Sequence, residues 1–100
     1  HKVYKNIFKS SDNFEIISQP KNTKSNYWLI TLRLKFDNPL KIRNEILINA
    51  NMNGILLRPS WNLISDLPMY LDCQKGDLKV AVDQSNRLIN LPSSPKLLKN

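Results

Sequence analysis

Arg58 stands where a predicted strand runs into a stretch carrying Pro59, Trp61, Pro68 and Tyr70. A guanidinium at such a place forks onto phosphate or carboxylate oxygens. The same residue type also serves structural ion pairs, so its spacing alone leaves both roles open. Trp61 and Tyr70 offer flat apolar faces with a polar edge, suited to a sugar or nucleotide ring and equally to packing under the loop. Asn26 and Tyr27 precede a long alternating run. An amide at the mouth of a strand either starts the strand or holds a ligand, and Tyr27 falls on the freer face, opposite Trp28, which reads as core. Asn90, Ser93 and Ser94 read as residues that shape a turn.

The remaining chemistry is narrow. The one histidine is His1, at the end of the chain, so Ser-His-Asp, Cys-His and histidine-metal mechanisms have no base in a defined position. Glycine occurs only at 54 and 76, which excludes a G-x-G-x-x-G or P-loop phosphate cradle. Asp66, Asp72, Asp77 and Asp83 fall in one half, at spacings that read as solvated or helix-capping positions. Cys73 is the only cysteine, which rules out an internal disulfide. With no second thiol or imidazole near it, no metal site is expected, and Cys73 reads as a half-buried small apolar residue.

These residues need a scaffold, and the composition provides for one. A hydrophobic share of 41% against 23% charged, over 100 residues, fits a single globular domain. The net charge of +7 is spread from Lys2 to Lys99 without a dense cluster. It reads as a solvated surface with a diffuse preference for anions rather than a specific nucleic-acid site. No apolar run approaches the ~20 residues of a membrane span, and the chain reads as cytoplasmic.

Along the chain, Val3, Tyr4, Ile7 and Phe8 recur at helical spacing. A turn over residues 10–13, a strand over 14–18 and a polar loop over 19–25 follow. From Tyr27 to Phe36 the alternation predicts a strand, with Trp28, Ile30, Leu32, Leu34 and Phe36 on the core face. Asp37-Asn38-Pro39 signals a helix start. The helix runs from Leu40 to about Met52, buries Ile42, Ile46, Leu47 and Ala50, and ends at Gly54 in the left-handed conformation. Residues 55–58 read as a returning strand and 59–76 as irregular. Asp77 then caps a helix whose Leu78, Ala81, Val82 and Leu88 share a face, and Ile89-Asn90-Leu91 leads on to the terminal Pro-Ser-Ser-Pro.

Several of these pieces carry a family likeness. Asn26-Tyr27-Trp28-Leu29, Asn53-Gly54-Ile55, Arg58-Pro59, Trp61, Leu67-Pro68-Met69-Tyr70, Asp72-Cys73 and Leu88-Ile89-Asn90-Leu91-Pro92-Ser93-Ser94 occur in this order. At this spacing they resemble the C-terminal domain of DegT-type, pyridoxal-phosphate-dependent sugar-nucleotide aminotransferases, in particular those of legionaminic-acid and related nonulosonate pathways. The resemblance runs from about Ser25 to Pro95.

It implies an α+β fold, the small C-terminal domain of fold-type I aminotransferases, with a short, mostly antiparallel sheet and two to three helices packed on it. Residues 1–100 would form that one domain, and residues 1–10 the tail of a helix continuing from a large N-terminal domain. That large domain would hold pyridoxal phosphate on a lysine. The whole enzyme, a homodimer, would move an amino group from glutamate to a keto group on a nucleotide-linked sugar, in cell-surface polysaccharide or nonulosonate biosynthesis. Within this chain the resemblance implies no catalytic and no cofactor-binding residue, and no cofactor in the fragment by itself. Arg58, Trp61, Tyr27 and Asn26 are the candidate substrate contacts. Ser65 and Asp66 stand where many relatives place a histidine, a departure that implies either altered sugar specificity or a different hydrogen-bonding partner at that contact. A free-standing basic module that binds nucleic acid or an acidic protein is the alternative.

Overall fold

The computed structural model describes residues 1–94. Pro95, the last residue of the stretch with family likeness, lies outside the described residues. The elements are α1 (Lys2–Phe8), β1 (Phe14–Ile16), β2 (Ile30–Leu34), α2 (Pro39–Met52), β3 (Arg58–Pro59), α3 (Lys79–Arg87) and β4 (Leu88–Leu91). Two single 3-10 turns, Ile64–Asp66 and Pro68–Tyr70, interrupt the long connection from β3 to α3. The strands form one antiparallel sheet in the order β1-β2-β4-β3, so the fold is α+β, with four strands and three helices among the described residues.

Alternation along the strands gives the sheet one apolar face. Phe14 pairs with Leu34, Ile16 with Leu32, Leu32 with Ile89, and Ile30 with Leu91. Ile16, Ile30, Leu32, Leu34, Leu57 and Ile89 are buried, and Ile42, Ile46, Leu47 and Ala50 of α2 pack against them. The helical stripe expected from the sequence is therefore the one that meets the sheet. Each fully buried side chain of this size is worth roughly 1.5–3 kcal/mol. Tyr4 and Phe8 of α1 and Phe14 and Phe36 close the core at the β1 end. The Tyr4 hydroxyl donates to the Pro92 carbonyl at 2.7 Å, tying α1 to the chain beyond β4. Burial pushes the pKa of that hydroxyl up.

The opposite face is polar. By register, Glu15, Arg33 and Leu88 form one row across it and Thr31, Asn90 and Arg58 another. Arg33 donates from Nε to Glu15 at 3.0 Å and reaches Gln84 of α3 with Nη1. That hydrogen bond, with the charges of Arg33 and Lys35, holds the Glu15 carboxyl below its ordinary value against the opposing effect of burial.

The structure corrects several expectations. The strand predicted over Tyr27–Phe36 pairs only over Ile30–Leu34. Upstream of it Ser25 Oγ accepts from the Tyr27 N–H, Asn26 Oδ1 accepts from the Trp28 N–H, both at 3.0 Å, and Tyr27 sits at φ 50°. Local side-chain acceptors thus take the amides that a ladder would use, and the left-handed residue breaks the alternation. Trp28 and Tyr27 exchange roles in consequence. Trp28 is 68% exposed, whereas Tyr27 is half-buried, packs against the core and stacks on His1.

Strand pairing near Arg58 starts at Arg58 itself, because Ile55 folds back to donate to the Ala50 carbonyl and finish α2. Gly54 takes φ 80° there, as expected. No side chain caps α2 at Asn38, although Pro39 occupies its first turn. Asp77 accepts from the Lys79 N–H at 3.0 Å in a turn just before α3. Val82 lies on the outer side of α3, and the inner side is Leu78, Ala81, Gln84 and Ser85. Cys73 is exposed rather than half-buried. The largest difference is β4: residues 88–91, read as the end of a helix and a run-out, form a central strand between β2 and β3.

Candidate functional site

The short β3 and the loop behind it stand beside β4 and leave an open groove of about 790 Å³. Arg58, Trp61, Leu56, Ile64, Leu29 and Asn90 are among its lining residues. Antiparallel pairing places Arg58 directly across from Asn90. The Arg58 side chain has no hydrogen bond or ion pair to any described residue, and none of the described residues lining the groove carries a carboxylate. Trp61 is 80% exposed, so it contributes a free ring face and is not packed beneath the loop. Ser60 has its hydroxyl sealed from solvent with no partner among the described residues. A buried hydroxyl left without a partner costs about 1–3 kcal/mol, and few native positions accept that.

Arg58 and Trp61 therefore come together. Tyr27 does not join them; it lines a second hollow of about 280 Å³ together with Ser18, Gln19, Leu29 and Thr31. Its hydroxyl accepts from the Gln19 N–H at 3.0 Å. The two hollows meet at Leu29, which lines both. Asn26 lines neither, since its side-chain oxygen is committed to the turn at Trp28. Tyr70 lies off the groove, which Leu67 reaches instead. Ser65 and Asp66 sit in the first 3-10 turn.

Asn90 is the residue that sequence reasoning placed elsewhere. It was read as part of a turn, yet it occupies a central strand and accepts at Oδ1 from the Thr31 hydroxyl at 3.0 Å. A four-residue strand beginning at the last residue of a helical pattern leaves almost no periodic signal. Ser93 donates to the Trp28 carbonyl at 3.0 Å, and so anchors the segment just before β2.

Whether pyridoxal phosphate fits these residues follows from the donor set. The cofactor needs a sheltered lysine and a cradle of amides for its phosphate. Every described lysine is solvent-exposed, and neither glycine belongs to a phosphate-cradling loop. The described residues thus do not form a seat for that cofactor. No group of three or more His, Cys, Asp or Glu among the described residues is placed to hold a metal, and none of their helices is long and apolar enough to cross a membrane.

A family model described as the DegT/DnrJ/EryC1/StrS aminotransferase family matches residues 1–100. Among solved structures, an aminotransferase, TlmJ from Streptoalloteichus hindustanus, is similar with a TM-score of 0.78 at 14% sequence identity. The similarity covers 98% of this chain and 26% of TlmJ. At that identity it speaks for the fold, and the chain spans about a quarter of the protein it resembles. No curated protein matches the chain. Neither finding supports a free-standing basic module.

Proposed function

The chain belongs to the DegT/DnrJ/EryC1/StrS aminotransferase family, and on that premise we propose that it is the small C-terminal domain of a larger pyridoxal-phosphate enzyme. In this reading the enzyme is a cytoplasmic homodimer that moves an amino group from glutamate to a nucleotide-linked keto-sugar for polysaccharide or nonulosonate biosynthesis. The cofactor, held by a large N-terminal domain, supplies the electron sink for the amino transfer. This domain binds and orients the substrate and covers the interdomain surface.

The observation that carries the reading is the guanidinium of Arg58, unpaired among the described residues, in a groove that no described carboxylate lines. An anion entering there meets no competing carboxylate among the described residues, and the exposed ring of Trp61 offers a stacking surface for a base or sugar. Phosphate oxygens match the guanidinium fork, which a lysine reproduces in charge but not in geometry. Tyr27, in the adjoining hollow, would form the second wall of the approach, with Asn26 acting only through the turn that it shapes.

The test is amino transfer from glutamate to a nucleotide-linked keto-sugar by the complete polypeptide. Replacing Arg58→Lys should lower kcat/KM about tenfold or more, the loss of one bidentate charged contact, with an unchanged melting temperature. Unaltered kinetics together with a lowered melting temperature would assign Arg58 to the fold.

A further inference from the structure

Thr31, Asn90 and Arg58 form a cross-strand row over β2, β4 and β3 on the polar face of the sheet. Directly opposed residues in such a row have Cβ atoms about 4.5–5.5 Å apart. In this row the Thr31 hydroxyl donates to Asn90 Oδ1 at 3.0 Å. An Asn side chain has one acceptor oxygen and two N–H donors on nitrogen. With the oxygen turned toward Thr31, the Nδ2 group is turned away from it, and no described residue accepts its hydrogens. Among the described residues Arg58 and Asn90 both line the groove, as does the amide residue Asn62, and no carboxylate does. The row therefore presents two adjacent donor side chains whose hydrogens no described residue accepts.

We propose that Asn90, oriented by Thr31, is a second ligand-binding donor beside Arg58, and that the guanidinium and the amide together seat one phosphate-bearing group. The inference rests on the substrate-binding reading of Arg58 and extends it to a residue that the sequence placed in a turn. Thr31 is a positioning residue that acts through Asn90. Trp61 lines the same groove, within which a ring carried by the ligand would lie.

Inorganic pyrophosphate is the probe, titrated calorimetrically into the complete polypeptide. Asn90→Asp keeps the acceptor for Thr31 and replaces the donor with a negative charge. It should weaken binding by about tenfold or more at an unchanged melting temperature. Asn90→Val, well suited to a central strand, removes the donor without adding charge and serves if the aspartate variant is unstable; a loss of about fivefold is expected. Thr31→Val should weaken binding about threefold and Thr31→Ser should restore it. If Arg58→Ala abolishes binding while both Asn90 variants stay within twofold of wild type, the proposal fails and the Arg58 reading stands. If Arg58→Ala has no effect either, that reading fails with it.

Discussion

At the scale of single residues, the arginines sort by their partners. Arg33 is committed to Glu15 and Gln84, Arg87 to Asp83 and two carbonyls, and Arg43 to Asn44 and the Ser85 carbonyl. Arg58 alone among them has no partner among the described residues, which is why it, and not the net charge of +7, singles out the groove. The Arg33–Glu15 pair gives a pH prediction. The folded Glu15 pKa lies below its ordinary value of 4.5, so the unfolded chain binds the proton more readily. The pair's contribution is present above that value and is lost as pH falls through the folded pKa. Glu15 retains 37% side-chain exposure, so solvent screening keeps this contribution below about 1 kcal/mol. Melting temperatures followed from about pH 6 down to pH 3 should fall less steeply for Glu15→Gln than for the parent. Parallel curves would show that the pair contributes nothing.

At the scale of elements, what could be read in advance depended on length. The 14-residue α2 repeats its apolar stripe over four turns, and its start, end and buried face follow from Pro39, Gly54 and that stripe. The middle of β2 was legible for the same reason, since Ile30, Leu32 and Leu34 alternate without interruption. Its beginning was not, because the local bonds at Ser25 and Asn26 set the conformation of Tyr27 and no periodicity reports them. β4 lay below the length at which any period is resolved, so the sheet order and the place of Asn90 stayed hidden. The site was correspondingly half legible. Arg58 and Trp61 are close in sequence and share the groove, but the Thr31–Asn90 contact spans 59 positions and exists only once the sheet has formed. Arg87, at the end of α3, shows the same dependence on tertiary structure. Its Nη1 donates to the carbonyls of Leu34 and Phe36 at 3.1 and 2.9 Å, where β2 leaves the sheet, while its Nε pairs with Asp83. Arg87→Met would leave both carbonyls without this donor and should lower stability by about 2 kcal/mol in denaturant titration. Arg87→Lys should recover only part of it, because an ammonium cannot span both carbonyls and the carboxylate.

At the scale of the whole molecule, the chain is too open for its mass. A compact 11.6 kDa protein should expose about 5,800 Å², whereas this one exposes 8140 Å². Its radius of gyration of 15.2 Å likewise exceeds the roughly 13 Å of a closed domain of 100 residues. Only two of the buried side chains, Leu34 and Ile89, are fully enclosed among the described residues. Apolar surface that a thin core leaves outside concentrates along one connection. Leu56, Trp61, Ile64, Met69 and Leu71 are all exposed between the end of α2 and the start of α3. Exposed apolar area of this extent marks a surface made for a partner. Under the proposed function that partner is the large domain of the same polypeptide, with the groove opening at its margin. Hydroxyl-radical oxidation tests this on side chains that react readily. Trp61 and Met69 should oxidise several-fold more slowly in the complete polypeptide than in the 100-residue chain alone. Lys21 and Asn22, in the polar loop that follows β1, should keep their amide exchange rates in both. Equal oxidation rates would mean that the large domain leaves this connection bare, and the covering role assigned to the chain would be lost even if Arg58 still binds phosphate.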